Sequence, residues 1–222
     1  MNYKEAFIEF MVRSKVLTFG DFITKSGRKT PYFVNTGNYK TSEQIAKLGQ
    51  YYAACIKNHL DGIDFLYGPA YKGIPLVITA AASLYRDHHV TIPYCFNRKE
   101  AKDHGEGGHI IGYRPQNGDT AMIVEDVITA GTSVKETVPL LKSLAEDVKV
   151  ARLIISVDRM EKGDGGKTAI EEIADRFGIA TTPIVTVKEI VACLHNREVD
   201  GRVVIDDVMK ARIEAHLAQY GV

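Results

Sequence analysis

The chain has 222 residues, 28 Lys plus Arg balanced by 28 Asp plus Glu, 45% hydrophobic residues and no Trp. That balance excludes a general affinity for nucleic acid or an anionic membrane, both of which need a basic excess, so neither is expected as a partner. The length suits one large α/β domain with a small accessory element, and no apolar run approaches membrane-spanning length.

Cys55, Cys95 and Cys193 fit no zinc or CxxC spacing. With an N-terminus that lacks a signal-peptide pattern, they point to a reducing, cytoplasmic setting.

Residues 3–14 place Phe7, Ile8, Phe10 and Met11 at helical spacing, which predicts a packing helix. Two short β runs within 16–35 flank the Ser26-Gly27 turn and predict a small antiparallel hood outside the main sheet. In that stretch Lys25 reads as a solvated strand-end charge, and Tyr32 and Phe33 as core. Thr41-Ser42-Glu43-Gln44 fits a capping box opening a helix to about Leu60. Its apolar stripe is Ile45, Leu48, Tyr52 and Ile56, and Gly49 inside it is a mild cost unless it marks close packing.

Residues 64–68 predict a strand entering Pro69-Ala70-Tyr71-Lys72-Gly73, with a helix from Ile74 to Tyr85. Sites gather at the C-terminal ends of strands in such βα units. Lys72 is there either as a partner for pyrophosphate or as a plain surface charge. A strand is expected over 90–96, with Pro93 at an edge or entry position. Residues 97–109, rich in charge and ending in Gly105-Glu106-Gly107-Gly108, offer little apolar burial to offset ordering. They read either as a surface loop or as a lid. After the 121–133 stretch, a helix from Ser133 past Leu141 should kink or break at Pro139.

The strand over 148–158 ends at Arg159, which either pairs with Glu161 or grips a planar carboxylate or acyl-urea edge. Helices over 168–177, 189–195 and 206–220, the last with Val208, Met209, Ile213 and Leu217 apolar, and a strand over 184–187, read as architecture. Strands near 65, 92, 121, 150 and 184 alternating with helices predict a parallel sheet covered on both faces.

The most specific chemistry lies in 121–133. A buried strand ends at Glu125-Asp126, and Val127-Ile128-Thr129-Ala130-Gly131-Thr132-Ser133 then turns into a helix. Hydroxyls, a glycine and the free N–H groups of a helix start make a phosphate cradle. Paired acids are unfavourable beside a bare phosphate, but carboxylates accept from a diol. A ribose 5-phosphate supplies both groups. Metal binding is the other use for the acids, and a pyrophosphate ligand would bring Mg²⁺ with it.

Val124-Glu125-Asp126-Val127-Ile128-Thr129-Ala130-Gly131-Thr132 resembles the ribose-phosphate signature of the type I phosphoribosyltransferases, which use 5-phosphoribosyl-1-pyrophosphate (PRPP). Over nearly the whole chain the resemblance is to the orotate-using members of that family. It implies an α/β type I phosphoribosyltransferase fold, a central parallel sheet flanked by helices. The N-terminal helix and β hood would occupy 1–40 and the core 41–222, with a catalytic lid at 98–109. It implies Mg²⁺-dependent transfer of the phosphoribosyl group from PRPP to orotate in pyrimidine synthesis. It also implies a homodimer whose lids reach into each other's sites.

The implied residue roles are specific. Glu125, Asp126, Val127, Ile128, Thr129, Ala130, Gly131, Thr132 and Ser133 hold the ribose phosphate. Tyr71, Lys72, Arg98, Lys99, Lys102 and His104 meet the pyrophosphate, with Lys102, Arg98, His104 and Asp126 as the catalytic set. Lys25, Tyr32, Phe33, Thr129 and Arg159 hold orotate. No residue is expected to bind metal directly; Mg²⁺ arrives with PRPP, near Glu125 and Asp126. Glu125 stands where some relatives carry Asp. A purine-base phosphoribosyltransferase and a non-catalytic PRPP sensor are the rival readings.

Overall fold

The computed structural model describes residues 2–24, 27–99, 110–128, 131–163 and 165–222. Helix α1 (Tyr3–Arg13) starts where the Asn2 side chain accepts the Glu5 N–H. Strands β1 (Leu17–Ile23) and β2 (Lys29–Val34) pair antiparallel as a separate two-stranded sheet, Leu17 opposite Val34 and Ile23 opposite Lys29. Helix α2 (Ser42–Ile56) has the expected capping box: Thr41 Oγ1 accepts the Gln44 N–H, and Gln44 Oε1 accepts the Thr41 N–H, both at 3.1 Å. Then come β3 (Phe65–Gly68), α3 (Gly73–His88), β4 (Tyr94–Asn97), β5 (Ile110–Gly112) and β6 (Thr120–Val124). Helix α4 (Thr132–Leu144), β7 (Lys149–Asp158), α5 (Ala169–Phe177), β8 (Ala180–Thr186) and α6 (Val187–Leu194) follow. The pair β9 (Glu198–Val199) and β10 (Arg202–Val203) precedes the last helix, α7 (Asp207–Tyr220).

Contacts divide the chain into two compact units. The first comprises Met1–Gln44, Val157–Thr168 and Val185–Val222; the second comprises Ile45–Ser156 and Ala169–Ile184.

The second unit is built on the main sheet, ordered β5-β4-β3-β6-β7-β8. Strand β3 runs parallel to β4 on one side and to β6 on the other, and β6 runs parallel to β7. The edge strand β5 pairs antiparallel with β4, so the sheet is mixed and not wholly parallel. Period-two alternation sends Phe65, Tyr67, Ala121, Ile123, Leu153 and Ile155 into one buried cluster with Val134, Val138 and Leu141 of α4. Leu66, Met122 and Ile154 point the other way and are also fully buried, which is why these strands read as continuous apolar runs. Gly49 does mark close packing: a Cβ there would lie 2.6 Å from the Thr79 carbonyl oxygen of α3.

Two further expectations are corrected, and the helix expected to run past Leu141 is found without an early break at Pro139. The strand expected over 90–96 begins only at Tyr94, because Pro93 has no N–H to give the ladder, although its carbonyl accepts the Leu66 N–H. Helix α4 passes through Pro139 and ends at Leu144. In α7 it is Ile213 and His216 that are buried, while Val208 is exposed.

In the first unit α1 packs on α6 and α7 packs on β2. Phe7, Ile8 and Met11 are buried, and the Lys4 ammonium lies 2.7 Å from Glu189. Among the described residues no helix is long and apolar enough to cross a membrane.

Candidate active site

In the second unit, the order of the sheet decides where chemistry can occur. The chain goes out from β3 to β4, then returns to β6 on the opposite side of β3. Ligands of open α/β sheets bind at such reversals, at the carboxyl ends of the strands. The loops after Gly68 and after Val124 both leave there, and together they line a cleft of 350 Å³.

The β6 end is held rigidly. Tyr52 donates its hydroxyl to the Glu125 carbonyl at 2.7 Å, and Ser156 donates both its N–H and its hydroxyl to the Asp126 carbonyl, at 2.8 and 2.6 Å. The two side chains are buried. Glu125 Oε1 accepts the Asp126 N–H at 3.0 Å, and Asp126 Oδ1 accepts the Val127 N–H at 2.7 Å. Lys72 donates to Asp126 Oδ2 at 2.8 Å. Burial pushes the Glu125 carboxyl up to about 7. The Asp126 N–H pulls it down, the Asp126 charge adds to the rise, and the Ser133 hydroxyl again lowers it.

The cradle takes its shape from Gly131, whose φ of 63° lies in the left-handed region that favours glycine. Helix α4 starts at the next residue; its N-cap position, Gly131, has no side chain to cap that end, and Gly131, Thr132 and Ser133 line the cleft. Partial positive charge at a helix start suits a phosphate. Across the cleft the 69–72 loop doubles back tightly: Gly73 N–H reaches the Pro69 carbonyl at 2.9 Å, and a Cβ on Gly68 would run into the Gly73 carbonyl. Asn97 Oδ1 accepts the Ala70 N–H at 2.8 Å, and the Ala70–Tyr71 peptide is cis. Tyr71 is exposed, with the Lys99 ammonium 5.1 Å from its ring centroid.

Thus Tyr71, Lys72, Glu125, Asp126, Val127, Ile128, Gly131, Thr132 and Ser133 gather on one cleft, as the sequence implied. Arg98 and Lys99 directly follow β4. Lys25, Lys102, His104, Thr129 and Ala130, with lid positions 100–109, lie outside the described residues.

The first unit carries the remaining predicted residues. Tyr32 is buried and donates its hydroxyl to Glu161 Oε1 at 2.6 Å; burial, then the Glu161 charge, pushes its phenol up. Phe33, the next residue on the strand and so on its other face, is partly exposed and stacks on Phe22 at 5.6 Å. Arg159 donates to Glu161 Oε1 at 2.8 Å, the pairing the sequence offered as an alternative to ligand binding. Burial works against charge on Glu161, but Arg159, Tyr32 and His216 outweigh it and hold the carboxyl below its usual range. Sequence reasoning passed over His216, which sits in a helix read only as architecture, and over Ser156 and Tyr52, whose partners are distant in the chain.

A helix start with Gly131, Thr132 and Ser133, a buried acid pair and a lysine meet at the switch point of the sheet, where a phosphate and a diol would both find partners. The phosphoribosyl transferase domain family matches residues 35–175, and the chain belongs to that family. It is 55% identical over 222 residues to the orotate phosphoribosyltransferase of Clostridium acetobutylicum, covering 100% of this chain and 99% of that one. It is 42% identical over 220 residues to the orotate phosphoribosyltransferase of Vibrio atlanticus, covering 99% of each. The crystal structure of the orotate phosphoribosyltransferase of Francisella tularensis superposes with a TM-score of 0.84 at 33% identity, covering 98% of this chain and 100% of that one. These end-to-end likenesses place the chain in the orotate phosphoribosyltransferase branch of the family.

Proposed function

We propose that this protein transfers the 5-phosphoribosyl group of PRPP to orotate, giving orotidine 5'-monophosphate and pyrophosphate, in pyrimidine biosynthesis. The observation that carries the reading is the full-length identity of 55% to an orotate phosphoribosyltransferase. The Lys72–Asp126–Glu125 arrangement at the start of α4 supplies a physical basis.

The reaction breaks the bond from ribose C1 to the pyrophosphate oxygen and forms one from C1 to a ring nitrogen of orotate, which gives up its proton to solvent; pyrophosphate leaves with the electron pair of the broken bond. In this reading the α4 N-terminus with Gly131, Thr132 and Ser133 grips the 5-phosphate, joined by Thr129 and Ala130. Asp126 and Glu125 accept the ribose hydroxyls, and their negative charge favours the positive charge that develops at C1. Lys72 turns from Asp126 to the departing pyrophosphate, with Tyr71, Arg98, Lys99, Lys102 and His104. Lys25, Tyr32, Phe33, Thr129 and Arg159 hold orotate.

Two carboxylates fall short of the oxygen set that Mg²⁺ demands, so neither Glu125 nor Asp126 is assigned as a direct ligand; Mg²⁺ would be carried by the pyrophosphate of PRPP, near these acids, and would neutralise leaving-group charge. We further propose a cytoplasmic homodimer in which the 98–109 lid of each subunit serves its neighbour's site.

The test is PRPP-dependent loss of orotate, followed by its ultraviolet absorbance with Mg²⁺ present, beside uracil, hypoxanthine and adenine. Consumption of orotate alone is the expected result. Consumption of a purine base would overturn the roles of Lys25 and Arg159, and turnover of no base with tight PRPP binding would favour a sensor.

A further inference from the structure

Glu161 is the most heavily engaged carboxylate among the described residues of the first unit. Its Oε1 atom accepts from the Tyr32 hydroxyl at 2.6 Å and from Arg159 Nη2 at 2.8 Å, and lies 3.0 Å from His216 Nε2. Its Oε2 atom lies 3.6 Å from Arg28 Nη1. Arg28 in turn donates to the Lys162 carbonyl at 3.2 Å and stands 4.3 Å from the Tyr220 ring centroid. Strand β2, the loop before it, the segment after β7 and helix α7 therefore converge on one side chain.

The backbone is fixed as firmly. Lys162 N–H donates to the Tyr220 carbonyl at 2.7 Å, and Val222 N–H donates to the Met160 carbonyl at 3.1 Å. Met160 has φ 54°, a left-handed conformation that a branched or bulky residue seldom adopts. Asp158 Oδ1 accepts its N–H at 2.8 Å. This turn brings the side chains of Arg159 and Glu161, two residues apart, against one another.

Arg159 thus gives one nitrogen to Glu161. Its Nε is buried and has no acceptor among the described residues. A buried donor favours an acceptor beside it, so this nitrogen is available to a ligand oxygen. A planar ligand edge presented to the rest of the guanidinium would supply it.

We propose that Glu161 is a positioning residue for the base: anchored by Tyr32, His216 and Arg28, it orients the Arg159 guanidinium toward the carboxylate or acyl-urea edge of orotate. The inference rests on the reading of Arg159 as an orotate contact. An arginine otherwise loses much rotamer freedom on binding, and a guanidinium already held binds its partner with less of that loss. Glu161 also supplies the negative charge that lets Arg28 and Arg159 share one neighbourhood; without it the two cations repel.

The experiment compares Glu161→Gln, Arg159→Ala and the double variant by steady-state kinetics in both substrates. Glu161→Gln keeps the size of the side chain but removes its charge and replaces an acceptor by a donor. The expected result is an orotate KM raised tenfold or more, a PRPP KM changed less than twofold, and an intermediate orotate KM for Glu161→Asp. In the Arg159→Ala background, Glu161→Gln should add less than twofold, because its effect passes through the arginine. An unchanged orotate KM in Glu161→Gln, equal rises in both KM values, or effects that multiply in the double variant would overturn the positioning role. An unchanged orotate KM in Arg159→Ala would instead overturn the underlying reading of Arg159. Should Glu161→Gln fail to fold, His216→Phe carries the test. It keeps a ring against Tyr32 and removes one donor to Glu161, so a smaller rise in orotate KM is expected and none overturns the proposal.

Discussion

Lys72 and Asp126 are 54 positions apart in the chain and 2.8 Å apart in the structure. The lysine side chain is largely exposed, whereas the carboxylate is buried. The acid is thus neutralised from the solvent side, at the mouth of the cleft. A ligand with a pyrophosphate and a diol offers each member a replacement partner. Charged hydrogen bonds contribute about 1.5–3 kcal/mol, so Lys72→Ala should lower kcat/KM for PRPP by about ten- to a hundredfold. Asp126→Asn should cost at least as much. Initial rates over a PRPP titration check both, and wild-type values would remove these residues from the site.

Glu125 makes the protein sensitive to pH near neutrality. Its folded value of about 7 lies above the ordinary carboxyl value, so between the two the native state holds the extra proton. Stability from this group is full at low pH and declines as pH rises toward 7. Glu125→Gln should flatten the fall in Tm across that window. If the ionised carboxylate accepts the ribose hydroxyls, PRPP binding should tighten as pH passes 7, and this dependence should vanish in the variant.

Two glycines separate packing from function. A Cβ on Gly49 would meet the Thr79 backbone oxygen at 2.6 Å, and neither residue lines the cleft. Gly49→Ala should destabilise by about 1–3 kcal/mol through overpacking, with both KM values unchanged. Gly68→Ala strikes the Gly73 carbonyl and the base of the 69–72 loop, so it should raise the PRPP KM as well as lower Tm. Thermal melts and kinetics on the same preparations distinguish the two.

A lid that serves the neighbouring subunit makes a sharp expectation. Lys102→Ala should lose nearly all turnover, and Arg159→Ala nearly all turnover at low orotate. Mixed and allowed to exchange subunits, they should regain activity, because one site per mixed dimer has both residues intact. Proven exchange with no recovery would mean that each subunit works alone.

Chelation separates a substrate-borne metal from a structural one. If Mg²⁺ enters with PRPP, EDTA should abolish turnover and leave Tm unchanged.

Much of this was legible in the chain. Period-two and period-3.6 patterning gives α1, α2, β3, β6 and β7 because burial on a regular backbone imposes those repeats. The Glu125-to-Ser133 string stands out because its features are local: the end of β6 and the start of α4 lie within a few residues of one another. The capping box at Thr41 and Gln44 is local in the same way.

The tertiary structure alone decided what depends on contacts between distant segments. Chain order does not say that β6 returns to the far side of β3, and it is that return that brings Lys72 to Asp126. Nor does it say that Tyr32, Glu161 and His216 meet, since they come from three separate stretches of the chain. The antiparallel edge β5 was missed because three residues carry too short a pattern to show a period. Val208 is exposed because an apolar residue can remain in water at little cost, while the buried His216 has Glu161 as its partner. Hydrophobic periodicity fixes elements locally; the partner of a charge is chosen by the fold.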